Sequence, residues 1–334
     1  MENVKTVDEL MEKLNSLADE MSGKKKTPSA VELRKAENYR RAFWEHMHTG
    51  LPENDLKEGS DGSGGYLVPD EYEKKLVQAL EEQNILRKLG HVFPTTRKIK
   101  IPIVLGEGNA TWMPENAPYR VSDVDFGQVE ISAYKLAARL LVSDELLEDS
   151  AVDLESLITE LFKAEMNDAE EAAFFTGDGN GKPLGLVYQT PLGTETEETG
   201  KISMDDILDL IYSVTKPFRD KAVLVMSERT YWDLRKIRVH NGRYVWNPDL
   251  QEDGYDTLFG YRVYTTKNLP DPESGARPVL FGNFDYYWIG DRGKRVIKRL
   301  VERYADHGQV GYLVSQRVDA KLVFPEAIKA LEVR

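Results

Sequence analysis

One long apolar stripe, closed by a glycine-rich turn, constrains this 334-residue chain more than any other feature. From Asp153 to about Phe175, residues Leu154, Leu157, Ile158, Leu161, Phe162, Met166, Ala169 and Ala173 recur at helical spacing. At 1.5 Å per residue such a helix is about 34 Å long. The sequence GDGNGKPLG, Gly177 to Gly185, follows at once, and Gly177-Asp178-Gly179 is a helix stop. A helix of this length acts as a spine, and a wide, shallow subunit has use for one.

Residues 1 to 64 read as a separate helical segment with a linker. Thr6 with Glu9 forms a capping box ahead of Val7, Leu10, Met11, Leu14, Leu17 and Met21 at helical spacing. A second helix starts at Ser29, with Glu32 as its reciprocal cap, and carries Leu33, Ala36, Tyr39, Phe43 and Met47. Thr49 to Gly65 is rich in Gly, Ser, Asp and Glu and reads as linker. Two amphipathic helices of this size cannot bury both stripes alone. They need each other, the body of the protein, or another copy.

Beyond the linker, a helix is expected from Pro69 to about Leu80. Lys98 to Val104 alternates as a strand, and Gln128 to Leu141 returns as another. Together they read as a long β-hairpin whose irregular tip holds Trp112, Met113, Pro114, Pro118 and Tyr119 among charges. An isolated two-stranded hairpin is marginal in water, so this tip needs a surface to lie on. After Gly200 the texture is α/β. Ser203 and Ser227 cap helices, and Ala222–Met226 is a fully apolar strand. Further strands are expected at Tyr261–Thr265, Val279–Phe281, Tyr286–Ile289 and Val296–Leu300, with two more from Gly311 to Val333 broken near Pro325.

Chemistry finds little foothold. There are no cysteines, which removes disulfides, thiolate nucleophiles and Cys-bound metals. His46, His48, His91, His240 and His307 fall in no ligand spacing, so no metal is expected. Gly177–Gly181 follows a helix and lacks the Lys-Ser/Thr of a phosphate loop. Asp178 and Asn180 faintly suggest a calcium loop, but the twelfth position, residue 189, is Gln where a bidentate Glu is required. Acidic pairs such as Asp144-Glu145 and Asp205-Asp206 read as helix-dipole complements. No nucleophile elbow is present. We therefore expect no enzyme and no cofactor. A net charge of −13 opposes a DNA-binding module, and no apolar run is long enough for a membrane span. The charged N-terminus is not a signal peptide in pattern.

The ordered set of SGGYLVPDEY (Ser63 to Tyr72), KIKIPIVLG (Lys98 to Gly106), LLVSDELLEDS (Leu140 to Ser150), the long helix and GDGNGKPLG resembles the major capsid proteins of tailed phages. The likeness covers about residues 62 to 334. It implies an α+β, Hong Kong 97-like fold. Residues 65–97 would be the entry of the N-terminal arm, 98–141 an extended E-loop hairpin and 142–202 a peripheral domain with its spine helix. Residues 203–290 would form an axial domain, and 291–334 would return to the peripheral domain. Gly177, Asp178, Gly179, Gly181, Pro183 and Gly185 match the family's turn after the spine. Trp112, Met113, Pro114, Tyr119 and Arg120 would contact a neighbouring subunit.

The function this resemblance implies is structural: hexamers and pentamers closing into an icosahedral shell around double-stranded DNA. The shell would be assembled in the bacterial host cytoplasm, with no membrane involved. Partners implied are other copies, and a scaffold protein, head protease, portal and decoration proteins. Some relatives cross-link their shells through a Lys–Asn isopeptide bond assisted by a Glu. Those positions fall here on Tyr119 (beside Arg120), Gly308 and Ser315, so no cross-linking is expected. Only about 64 residues precede the body motif, short of the family's long scaffolding segment, which leaves scaffolding open. Two other readings stand beside this one: an encapsulin-type nanocompartment shell, separated by its contents, and a monomeric hydrolase, separated by light scattering.

Overall fold

The computed structural model describes residues 30–50, 60–61, 65–69, 72–75, 83–104, 126–148, 154–238, 242–246 and 256–334. The chain divides into two units, Met1–Gly59 and Ser60–Arg334. In the first, helix α1 (Ala30–Thr49) is the second predicted helix. Along it Tyr39 and Phe43 pack at 6.4 Å, and Phe43 meets Trp44 edge-on at 5.2 Å. It ends at Gly50, whose φ of 74° suits glycine and whose N–H donates to the His46 carbonyl at 2.8 Å. The predicted helix over Thr6–Met21 and residues 51–59 of the linker lie outside the described residues.

In the second unit the chain runs through β1 (Ser60–Asp61), β2 (Gly65–Leu67), α2 (Ile85–Leu89), β3 (His91–Thr95), β4 (Ile99–Val104), β5 (Phe126–Ile131), β6 (Tyr134–Ser143) and α3 (Asp144–Glu148). The long helix α4 (Leu154–Thr176), α5 (Leu186–Gln189), β7 (Leu192–Glu195), α6 (Met204–Ser213), α7 (Lys216–Arg219), β8 (Val223–Ser227) and α8 (Glu228–Arg235) follow. Then come β9 (Thr257–Leu258), β10 (Tyr261–Thr266), β11 (Val279–Gly282), β12 (Tyr287–Arg292), β13 (Val296–Leu300), β14 (Gln309–Leu322) and β15 (Ile328–Glu332).

The six-stranded sheet, in order β7-β15-β11-β8-β10-β9, explains the apolar run at 222–226. Alternate residues point to opposite faces of a strand. Leu224 and Met226 of β8 enter one core, with Ile207, Leu210, Ile211, Val279, Phe281 and Leu331. Val225 enters the other, with Leu280, Ile328, Ala330 and Phe284. A strand buried on both faces needs continuous apolar sequence rather than alternation. Helix α6 covers one side, and its predicted capping box is present: the Ser203 Oγ accepts from Asp206 N–H, and the Asp206 carboxylate accepts from Ser203 N–H at 2.7 Å. Ser227 caps α8 in the same way through Thr230 N–H.

The second sheet is organised by β14. Ser315 pairs with both Ala137 of β6 and Val296 of β13, and Val318 with both Tyr134 of β6 and Asp291 of β12. A strand has two edges, so β6 occupies one and β12 with β13 occupies the other, end to end. β3 pairs with β12 and β2 with β13. One face of this sheet, including Tyr287, Ile289, Val318, Ala320 and Leu322, is buried against the end of α4 at Phe174 and Phe175. Tyr287 Oη donates to the Phe174 carbonyl at 3.3 Å.

Three segments differ from the expectations. The predicted strand Gln128–Leu141 divides at Ser132-Ala133: β5 pairs with β4, whereas β6 joins β14. The hairpin therefore ends at Ile131, not at residue 141. The cause is distant in sequence. Buried Asp319 accepts hydrogen bonds from Ser132 N–H (2.7 Å), Ser132 Oγ (3.1 Å) and Ala320 N–H (2.9 Å), and the strand turns there. The strand expected from Tyr286 starts one residue later and extends through Arg292, because Phe284–Tyr286 forms a 3₁₀ turn capped by Asn283. Of the helix expected over Pro69–Leu80, 72–75 is helical, Pro69 lies before it outside the helix, and residues 70, 71 and 76–80 are outside the described residues.

Candidate functional site: a buried charge cluster and the exposed faces around it

The apolar row of α4 at four-residue spacing runs Leu154, Ile158, Phe162, Met166 and then Glu170 before Phe174. A carboxylate at a core position needs a partner. Glu170 has one in Arg87; their side chains are 1% and 0% exposed. Arg87 Nε and Nη2 both donate to Glu170, Nη2 at 3.0 Å. The other edge of the guanidinium donates to Asp291 at 2.9 and 2.8 Å. Gln316 Nε2 also donates to Glu170, and Gln316 Oε1 accepts from Arg295 Nε at 2.9 Å. Arg295 completes the ring with Asp291 at 3.5 Å and Glu73 at 3.6 Å. The cluster joins α2, α4, β12 and β14.

Electrostatics follow from this packing. Burial works against the Arg87 charge, but Glu170 and Asp291 outweigh it and hold the guanidinium's pKa well above its ordinary value. Burial likewise opposes the Asp291 charge, and Arg87 and then Arg295 overcome it, leaving that carboxyl below the usual range. Glu171, the next residue on α4, is pushed up by burial, against hydrogen bonds from Ile85 N–H (3.1 Å) and Asn268 Nδ2 (2.9 Å). Asn84 caps the other end of this contact, accepting from Leu86 and Arg87 N–H. Both carboxylate oxygens of Glu170, Asp291 and Glu171 face a donor, an arrangement that positions elements rather than one poised to exchange protons with a substrate.

The predicted turn sits at the foot of the same helix. Gly177 N–H donates to the Ala173 carbonyl at 2.9 Å, and Gly185 N–H returns to the Gly177 carbonyl at 2.8 Å. A Cβ on Gly177 would lie 2.2 Å from the Pro183 carbonyl oxygen, and one on Gly185 2.5 Å from that of Phe175. Gly179 and Gly181 take φ of 79° and 70°. Asp178 accepts from Asn180 N–H at 3.0 Å and faces Lys182 at 3.6 Å; these hold its carboxyl below the ordinary range. A lysine beside the carboxylate opposes a calcium ion there. From the turn, α5 is tied to both sheets. Gln189 Oε1 accepts from Leu322 N–H, and Arg277 Nη1 donates to the Val187 and Thr190 carbonyls while its Nε meets Glu332.

Trp112, Met113, Pro114, Tyr119 and Arg120 fall in the 105–125 connection between the paired ends Val104 and Phe126, outside the described residues. Gly308 follows a 3₁₀ turn with φ of 59°, and Ser315 sits mid-strand in β14. Sequence reasoning missed an aromatic rim beside the six-stranded sheet. Trp232 (55% exposed), Tyr244, Val245 and Phe259 are exposed there. Arg235 lies 5.3 Å from the Tyr231 ring, 6.0 Å from Trp232 and 5.7 Å from Trp246, and pairs with Asp256 at 3.2 Å. Helical spacing on α8 could have pointed to Tyr231, Trp232 and Arg235.

The sequence profile of the phage capsid family matches residues 64–333. The major capsid protein of Klebsiella oxytoca phage phiKO2 is 26% identical over 254 residues, covering 70% of this chain and 57% of that protein. That of Escherichia phage T5 is 25% identical over 298 residues, covering 82% and 64%. The chain thus spans 57% and 64% of the length of these two curated relatives. A solved structure, the capsid of a native GTA particle computed with C5 symmetry, superposes with a TM-score of 0.66 at 26% identity, over 74% of this chain and 89% of that one.

Proposed function

The chain belongs to the phage capsid family, and from that membership we propose that it is a structural major capsid protein. Copies join as hexamers and pentamers and close into an icosahedral head around double-stranded DNA. The observation that carries this reading is the family match over residues 64–333. Its α+β fold is of the Hong Kong 97 type. The β4–β5 hairpin is then the base of the E-loop, α4 the spine of the peripheral domain, and the six-stranded sheet the core of the axial domain. Trp112, Met113, Pro114, Tyr119 and Arg120 at the loop's tip rest on a neighbouring subunit. Obligate contacts of this kind bury on the order of 2,000–5,000 Å².

Negative-stain microscopy and light scattering of the purified full-length protein test this: shells or capsomer rings are expected, and a lone monomer under all assembly conditions refutes it. No catalytic step is assigned. Tyr119, Gly308 and Ser315 cannot make an isopeptide bond, so boiled particles should run as monomers, and a covalent ladder would refute that. Residues 1 to about 60 assist assembly in this reading. A chain beginning at Ser60 that assembles as well as the full-length protein would remove that role.

A further inference from the structure

The outward face of the β14 sheet, opposite α4, is basic. Antiparallel partners share a face, so Lys135, directly opposite Arg317, points the same way as it does. Arg292, next after the Asp291–Val318 pair, lies on this face beside Arg317, and Lys321 is four residues further along β14. Lys135 and Arg317 are exposed, and Arg292 and Lys321 half-buried. Among the described residues none of the four has a carboxylate partner. On this face of β6, β12, β13 and β14, the one acidic side chain is Asp319, buried and turned to Ser132. The neighbouring Glu130 at the hairpin base is paired with Lys98 at 2.8 Å.

Like charges set directly across a β pair destabilise the sheet, and among the described residues nothing compensates Lys135 against Arg317. A chain of net charge −13 that gathers four unpaired cations on one face carries −17 on everything else. The surface most complementary to this face is therefore the protein's own. We propose that the basic face around Lys135, Arg317, Arg292 and Lys321 seats an acidic surface of a second copy of the chain. Because the two surfaces differ, the contact is heterologous, the type that propagates into rings and lattices rather than closing as a dimer. The proposal rests on the shell reading and names one of its contacts.

The full-length K135E variant tests it. Placing a carboxylate opposite Arg317 removes the internal repulsion, so its melting temperature should equal or exceed that of the wild type. Its yield of particles, counted by microscopy and light scattering, should fall roughly tenfold or more, as for loss of a charged interface contact. K135E/R317E should lose assembly further while keeping its far-ultraviolet circular dichroism. Undiminished assembly of both variants overturns the proposal and leaves the shell reading standing. Wild-type protein that forms no particles overturns both. Duplex DNA bound by unassembled wild type at 150 mM salt and released by K135E/R317E, with assembly intact, overturns it in favour of a nucleic-acid face.

Discussion

Arg87 and Asp291, 204 positions apart in the chain, meet through two parallel hydrogen bonds of 2.9 and 2.8 Å, while the rest of the same guanidinium grips Glu170 of the long helix. The pairing is the joint at which helix and sheet are locked. Removing one member of a buried ion pair costs about 3–5 kcal/mol, since the remaining charge is stranded. R87A should therefore unfold in urea with stability lowered by about that amount, and R87K, which keeps the charge but not the fork, by less. Equal stability of R87A and wild type would mean the joint is not a joint.

The same pair sets an acid limit. Asp291 has its folded pKa depressed, chiefly by Arg87 against the opposing effect of burial. Its contribution is thus complete above the unfolded carboxyl value of about 3.9 and is lost as pH falls from there through the folded value. Urea midpoints measured across that window should drop more steeply for wild type than for D291N, which has no such proton to take up. Glu171 has the opposite sign: burial raises its pKa, so its charged form disfavours folding above the carboxyl range. E171Q can keep an acceptor for Ile85 N–H and should be no less stable than wild type near pH 7, with its advantage gone below about pH 4.

How far the sequence foretold this architecture depends on the range of the interactions. The spine, its glycine stop, the Ser203 and Ser227 caps and the doubly buried strand were all legible, because each is written in a window of a few residues. The division of Gln128–Leu141 was not. Ser132-Ala133 is an ordinary strand dipeptide, and the turn is imposed by Asp319, 187 positions away. The charge joint was half legible. Glu170 interrupts an apolar row at four-residue spacing, a warning that a cation waits in the core, but nothing local marks Arg87 or Asp291 as its partners. The basic face needed the register of β6 on β14 before Lys135 and Arg317 could be seen as neighbours.

Glycines of the spine turn divide into two kinds. At Gly177 an added Cβ meets backbone oxygens of Pro183 and Ala173 at 2.2 and 2.5 Å, atoms that cannot move without pulling the helix end from the loop. At Gly181 an added Cβ meets nothing within 4 Å, and the only cost is its φ of 70°. G181A should lose about 1–2 kcal/mol, the left-handed penalty for an L-residue, and G181N less. G177A should lose clearly more and show it in reduced expression or a lower melting temperature. The reverse ranking would show that backbone conformation, not close approach, governs this turn.

Asp319 ties the base of the β4–β5 hairpin to β14. Its two oxygens take up Ser132 N–H, Ser132 Oγ and Ala320 N–H, and a methyl-bearing Ile131 packs at 3.0 Å from where a Cβ on Gly290 would lie. D319A strands those donors in a buried site, each at a cost of about 1–3 kcal/mol. That cost falls at the hairpin base, where β5 leaves the sheet, so the expected result is local opening. By hydrogen exchange the Ser132 amide should speed up roughly ten- to a hundredfold, matching that cost, while amides of Leu224 and Val225 in the six-stranded sheet keep their protection. D319N, which retains one carbonyl oxygen, should fall between. Uniform acceleration throughout the second unit would instead make Asp319 a general stabiliser of the fold, with no particular hold on the hairpin.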